Sequence, residues 1–177
     1  MKEYFKETYE SAEKCLRTNY YGIKQVTAAL LPLLQQSSMP KVVNVSSSVG
    51  QLKYIPGENI KKELQEIDTL TEEKVDGLVA RFLKDMKEDA VETGGWPILL
   101  SAYIVSKATL NAYTRVLAKK YPEIAINAVH PGYIKTDLSH NIGLPVEEGA
   151  RGPVMVALMP KDGPSGAFFN RTVVWTF

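Results

Sequence analysis

From Thr8 to Leu34 the apolar positions Ala12, Cys15, Leu16, Ile23, Val26, Leu30 and Leu34 recur at three- and four-residue intervals, which predicts one long helix. Pro40 punctuates the pattern. KVVNVS (41–46) is β-branched and too short for a helix, so it reads as a buried strand, followed by the small-residue turn SSVGQ. Between Ile60 and Thr93, charged residues surround Leu64, Ile67, Val75, Leu78, Val79 and Phe82, the pattern of an amphipathic helical segment on the surface. GGW (94–96) breaks it. Ser101 to Lys119 places small or apolar residues on more than one face, as in a helix covered on several sides. IAINAV (124–129) predicts the next strand, closed by His130-Pro131-Gly132. A helix follows from Val146 to Met159, entered through Pro145, and GAFFNRTVVWTF (166–177) predicts a last strand.

Strand, long helix, strand is the order of a βαβ unit with parallel strands. Open sheets of that kind bind ligands beyond the carboxyl ends of their strands. Ser46, Ser47 and Ser48 end the first strand and Pro131-Gly132 the second, so the two loops are expected to face one cleft.

A chain of 177 residues, 45% hydrophobic and 23% charged, is enough for one core and one domain. Its net charge of +1 provides no electrostatic footprint for nucleic acid or an anionic membrane. The opening MKEYFKETYESAEK is charged where a signal peptide is apolar, and no stretch is long enough to span a bilayer. The expectation is therefore a cytoplasmic protein with no membrane partner. The lone Cys15 fits a reducing compartment and a structural role, with a reactive thiol as the alternative.

Tyr103, Lys107, Leu110, Thr114 and Leu117 share a helix face, so Tyr103 and Lys107 extend a stripe that points toward protein. An ammonium one turn from a phenol in a partly dry site favours the phenolate, making the pair a proton donor and its tuner; chance co-occurrence is the alternative. Ser47 either hydrogen-bonds a carbonyl that Tyr103 protonates or caps the next turn. Asn19 falls on the apolar stripe of the first helix, as a site residue or a satisfied structural amide. Pro131, Gly132 and Thr136 suit contact with a cofactor's amide or phosphate groups, or form a plain strand-to-helix turn. His130 and His140 lack partners at ligand spacing, which argues against a metal.

Taken together, TNYYG (18–22), KVVNVSSSVG (41–50), SAYIVSKATLNAYTR (101–115) and INAVHPGYIKTDL (126–138) resemble the short-chain dehydrogenase/reductase family, in its plant carbonyl-reductase branch. The resemblance implies an α/β, Rossmann-like doubly wound parallel sheet, here its C-terminal portion of about three strands with flanking helices. Residues 1–177 would form a single partial domain with a helical insertion at about 51–97. It further implies NADPH-dependent reduction of a ketone or aldehyde on a small hydrophobic, terpenoid- or alkaloid-like substrate. Tyr103 would be the acid, Lys107 the tuner that also holds the nicotinamide ribose, Ser47 the polariser, and Asn19 the anchor of a relay water. Pro131, Gly132, Ile134 and Thr136 would lie along the nicotinamide end of NADPH. The insertion implies a monomer.

The family's Gly-rich pyrophosphate turn, G-x-x-x-G-x-G, has no counterpart in these residues. The first strand would then present an open sheet edge, and helices that pack on the absent strands would expose apolar stripes. The alternative expectation is a catalytically impaired remnant that associates with a full-length relative through that edge.

Overall fold

The computed structural model describes residues 7–177; the reading of the opening residues for a leader lies partly outside them. Helix α1 (Tyr9–Leu16), a π-helical segment (Arg17–Tyr21) and helix α2 (Gly22–Leu34) lead into strand β1 (Lys41–Val45). Short 3-10 turns at Ser48–Gly50 and Leu52–Tyr54 precede α3 (Glu58–Gln65) and α4 (Glu72–Lys87). Helix α5 (Ser101–Lys120), β2 (Ala125–His130), a 3-10 turn at Asp137–Ser139, α6 (Val146–Ala157), β3 (Phe168–Asn170) and β4 (Val173–Trp175) complete the order. The chain divides into two compact units. One holds the described residues up to Ala29 with Val49–Tyr113, the other Leu30–Ser48 with Thr114–Phe177.

The second unit is a four-stranded sheet in the order β1-β2-β3-β4, with helices flanking it. β1 pairs parallel with β2 from Lys41↔Ala125 to Val45↔Val129, and β2 pairs parallel with β3. This is the expected α/β, Rossmann-like arrangement. Helix α6 packs on β1 and β2, where Val129, Val156 and Phe169 form a buried cluster edged by Val43 and Met155. The single last strand of the sequence pattern is instead a hairpin: β3 pairs antiparallel with β4 around Arg171, whose φ of 57° reverses the chain. Phe168 stacks on Trp175 across it at 6.1 Å.

In the first unit the amphipathic segment resolves into α3 and α4. The hydroxyl of Thr71 caps α4 by accepting from Lys74 N–H at 3.3 Å. Val75, Leu78, Val79 and Phe82 are buried, and α4 packs on α1. Trp96 meets Phe82 edge to face at 5.2 Å and donates its indole N–H to Asp85 at 2.6 Å, which places the GGW break on α4.

Asp76 fastens α4 to the first helical run. Its carboxylate accepts from the Tyr20 hydroxyl at 2.8 Å and from Lys24 Nζ at 2.7 Å, and Lys24 lies 5.5 Å over the rings of both Tyr20 and Tyr113. The ring of Tyr20 is fully buried, so its hydroxyl depends on this acceptor. Burial and the neighbouring Asp76 carboxylate both push the Tyr20 phenol upward, keeping it protonated and donating.

The long helix predicted from Thr8 to Leu34 is not uniform: at its centre Gly22 N–H reaches back five residues to the Arg17 carbonyl, widening the turn. The apolar stripe on α2 also faces outward, with Val26, Leu30 and Leu33 all exposed. Among the described residues no helix is long and apolar enough to cross a membrane.

Removing the Asp76 carboxylate leaves the buried Tyr20 phenol without its acceptor and Lys24 with only the 3.8 Å contact to Glu72, and charge-assisted hydrogen bonds contribute about 1.5–3 kcal/mol each. Asp76→Ala is therefore expected to lower the urea midpoint by an amount equivalent to at least about 1.5 kcal/mol. An unchanged midpoint would show that the contact is incidental.

Candidate functional site

Helix α5 is covered almost all round, and between Ser101 and Thr114 only Tyr103 is not buried. Tyr103 is half-buried where its neighbours along the helix are closed off. Lys107, one turn on, is 9% exposed, with Nζ 5.8 Å from the centre of the Tyr103 ring. Burial lowers the Lys107 ammonium below its ordinary value, opposed in part by the nearby Cys15 sulfur.

Asn19 sits in the middle of the π-helical segment, which turns its side chain toward α5. Its Nδ2 donates to Ser106 Oγ at 3.1 Å and approaches Cys15 Sγ at 3.5 Å. Ser106 is fully buried, and its hydroxyl donates to the Tyr103 carbonyl at 2.8 Å. The first unit thus joins Asn19, Ser106, Tyr103 and Lys107. Cys15 is half-buried and burial pushes its thiol upward, which favours the structural reading over a reactive one.

The turn after β1 is seated on the same helix. Asn111 Nδ2 donates to the Gly50 carbonyl at 3.1 Å, and a Cβ at Gly50 would lie 2.9 Å from the carbonyl group of Lys107. Only glycine permits that approach. The Asn111 side-chain oxygen is buried without a hydrogen-bond partner among the described residues.

Ser47 and the segment from Pro131 belong to the second unit, at the carboxyl ends of the adjacent parallel strands β1 and β2. Ser46 N–H donates to the Val129 carbonyl at 2.7 Å, tying the strand ends together, and Ser47 beside it is buried. Gly132 has φ 104°, a conformation that only glycine adopts without strain. Ile134 bridges Leu144, and a Cβ at Gly149 would come within 2.7 Å of its side chain, so α6 holds this residue closely. Thr136 is exposed; its N–H donates to Ser139 Oγ at 3.0 Å, and the Ser139 hydroxyl also lies 2.7 Å from the Ile134 carbonyl. Ser139 was not singled out in the sequence, nor was Ser106. Both are short hydroxyl residues whose partners come from backbone geometry rather than from spacing.

A family model described as enoyl-(acyl carrier protein) reductase matches residues 90–152, the stretch holding Tyr103, Lys107 and Pro131 to Thr136. Short-chain dehydrogenase/reductase 1 of Saponaria officinalis is 57% identical over 97% of this chain and 57% of its own length. The (+)-neomenthol dehydrogenase of Arabidopsis thaliana is 50% identical over 99% of this chain and 60% of its own. The solved structure of salutaridine reductase from Papaver somniferum superposes with a TM-score of 0.88 at 54% identity, covering 93% of this chain and 56% of that one. The chain therefore spans less than two thirds of the length of these relatives. With a matching fold, the same motif-bearing stretch and 50–57% identity to such relatives over nearly its whole length, the chain belongs to the short-chain dehydrogenase/reductase family.

Proposed function

We propose that the chain carries the proton-transfer centre of an NADPH-dependent carbonyl reductase acting on a small hydrophobic ketone or aldehyde of terpenoid or alkaloid type. The observation that carries this reading is the opening at Tyr103 in the otherwise buried stretch of α5 from Ser101 to Thr114, where the half-buried tyrosine stands one turn from a buried lysine. The names of the relatives, a salutaridine reductase and a neomenthol dehydrogenase, support the substrate class.

When bound, a reduced nicotinamide supplies hydride to the carbonyl carbon. Tyr103 gives its phenolic proton to the carbonyl oxygen, so that ketone plus hydride plus proton become an alcohol. Positive charge on Lys107 stabilises the phenolate left behind, and because the site is dry the interaction is less screened than in water. Ser47 hydrogen-bonds the carbonyl oxygen and Asn19 anchors the water that returns a proton. Pro131, Gly132, Ile134 and Thr136 are the residues that would hold the nicotinamide end of the cofactor. Gly132 holds the left-handed turn that starts this segment, and the exposed Thr136 hydroxyl is available as a donor.

A second reading, association through β1, is favoured by the position of that strand at the sheet edge with the exposed Leu30 and Leu33 in the same unit.

Tyr103→Phe removes only the donated proton. It is expected to lower ketone-dependent NADPH oxidation by about 10²-fold or more, as for loss of a general acid, while NADPH fluorescence titration gives an unchanged Kd. Turnover equal to the parent protein would refute Tyr103 as the acid.

Lys107 titrates lower in the folded chain than in the unfolded one, so the folded state carries the cost of the buried ammonium at neutral pH. Between the lowered folded value and the ordinary value near 10.5 the unfolded chain binds more protons, and stability rises with pH. Lys107→Met is therefore expected to be more stable than the parent at pH 7, with the difference shrinking toward pH 10.5, as read by urea unfolding. A difference that widens with pH would contradict the account.

A further inference from the structure

Arg171 occupies a backbone position that suits glycine. Its φ of 57° lies in the left-handed region, where a long side chain is disfavoured. Such strain persists where the other contacts of the residue outweigh it. For Arg171 these contacts lead to helix α6 and to the end of β2. Its N–H donates at 2.8 Å to the carbonyl of His130, the last residue of β2. Its own carbonyl lies against α6, where a Cβ at Gly152 would stand 2.5 Å from the oxygen. Its guanidinium donates to Glu148 Oε2 at 2.8 Å, and Glu148 Oε1 is 3.2 Å from Arg151 on the same helix. Its Cδ faces Gly132, 3.8 Å from where a Cβ would be.

That last contact falls at the weakest point of the candidate cofactor segment. Tyr133 and Lys135 are tied to Leu144 by backbone hydrogen bonds, both of 2.8 Å, and His130 is tied to Arg171. Between these anchors lie Pro131, which has no N–H to donate, and Gly132, whose φ of 104° is one of many that glycine can adopt. Nothing in the residue itself selects that value. The side chains of Ile134, Leu144 and Arg171 do so by closing over one side of its Cα, at 3.3, 3.6 and 3.8 Å from a Cβ position. Ile134 and Leu144 form the bridge of the segment itself, whereas Arg171 is anchored outside it, on the β3–β4 hairpin and α6.

We infer that Arg171 is a positioning residue for the nicotinamide cofactor: latched to α6 through Glu148, it holds the Pro131-Gly132 turn in the one conformation that the cofactor meets. The inference deepens the proposed function and rests on it for the cofactor, whereas the hold on Gly132 is a property of the fold. Glu148 lies in the first turn of α6, where the helix dipole also favours a carboxylate, so the latch is fixed at its far end. Arginine suits the role because its methylene stem packs on Gly132 while its head stays with the carboxylate. Glycine, which the backbone favours, would reach neither.

The test uses the 177-residue protein and the variants Arg171→Gly, Glu148→Ala and Glu147→Ala. Arg171→Gly removes stem and head while relieving the left-handed strain, so its urea midpoint is expected to stay close to that of the parent. Glu148→Ala removes the latch and leaves the stem, and Glu147→Ala removes a carboxylate from the same turn of α6 as a control. NMR relaxation dispersion at the Gly132 amide is expected to be flat in the parent and in Glu147→Ala, and to show microsecond-to-millisecond exchange in the other two. The NADPH Kd from fluorescence titration is expected to rise about threefold to fivefold in those two, the size of one partly exposed ion pair, and to stay unchanged in Glu147→Ala. A flat profile at Gly132 in either Arg171→Gly or Glu148→Ala, or exchange already present in the parent, would overturn the inference, as would a Kd equal to the parent's in both. A parent protein that binds no NADPH would refute the proposed function, and the Gly132 profiles would still decide whether Arg171 holds the turn.

Discussion

Everything in the proposed centre depends on helix α5 being wrapped by protein while it carries an ammonium. Enclosing a helix on nearly all sides removes water from every polar group along it, so each must find its partner within the fold. Ser106, Thr109 and Asn111 answer that demand with bonds to backbone carbonyls, and burial holds the Lys107 ammonium below its ordinary value. Tyr103 alone escapes burial in the stretch up to Thr114. In the proposed function the contrast between a half-buried tyrosine and a buried lysine is what would make the pair useful, because a charge out of water acts more strongly on its neighbour.

The π-helical turn is the second half of that arrangement. Five residues of wider helix swing Asn19 onto Ser106 and Tyr20 onto Asp76, so one local distortion serves both the centre and the attachment of α4. Wider turns of this kind cost helical regularity and persist where side-chain contacts compensate. Here the compensation is visible on both sides: an amide bonded to a buried hydroxyl, and a fully buried phenol bonded to a carboxylate that also holds Lys24.

Much of this was legible in the residues, and the parts that were not share a cause. The repeat of small and apolar positions from Ser101 marked a covered helix because no single face was polar. KVVNVS and IAINAV read as strands and pair in parallel register; IAINAV is buried as expected, but β1 is only half-buried, with Asn44 buried and Val45 exposed, because it lies at the edge of the sheet. Asn19 drew attention as an amide on an apolar stripe, yet the turn that aims it was invisible, since a five-residue change of helical period cannot be separated from ordinary irregularity. The final hairpin was missed because Asn170-Arg171-Thr172 lacks the glycine that usually marks a left-handed turn, and Arg171 adopts it regardless. Periodicity also told which face of α2 is apolar but not whether anything covers it; Val26 and Leu30 are exposed. Ser106 and Ser139 act through backbone carbonyls, and no side-chain pattern reports on those.

In the proposed function, hydride from bound NADPH would reach a carbonyl carbon while residues of the chain supply the proton. That function is tested most directly by incubating the protein with a monocyclic ketone and NADPH deuterated at C4 of the nicotinamide on the transferred face, then locating the label in the product by mass spectrometry and NMR. The result expected is an alcohol with one deuterium on the carbinol carbon and a hydroxyl proton from solvent. Recovery of unreduced ketone, or of an alcohol whose carbinol hydrogen comes from water, would contradict the account.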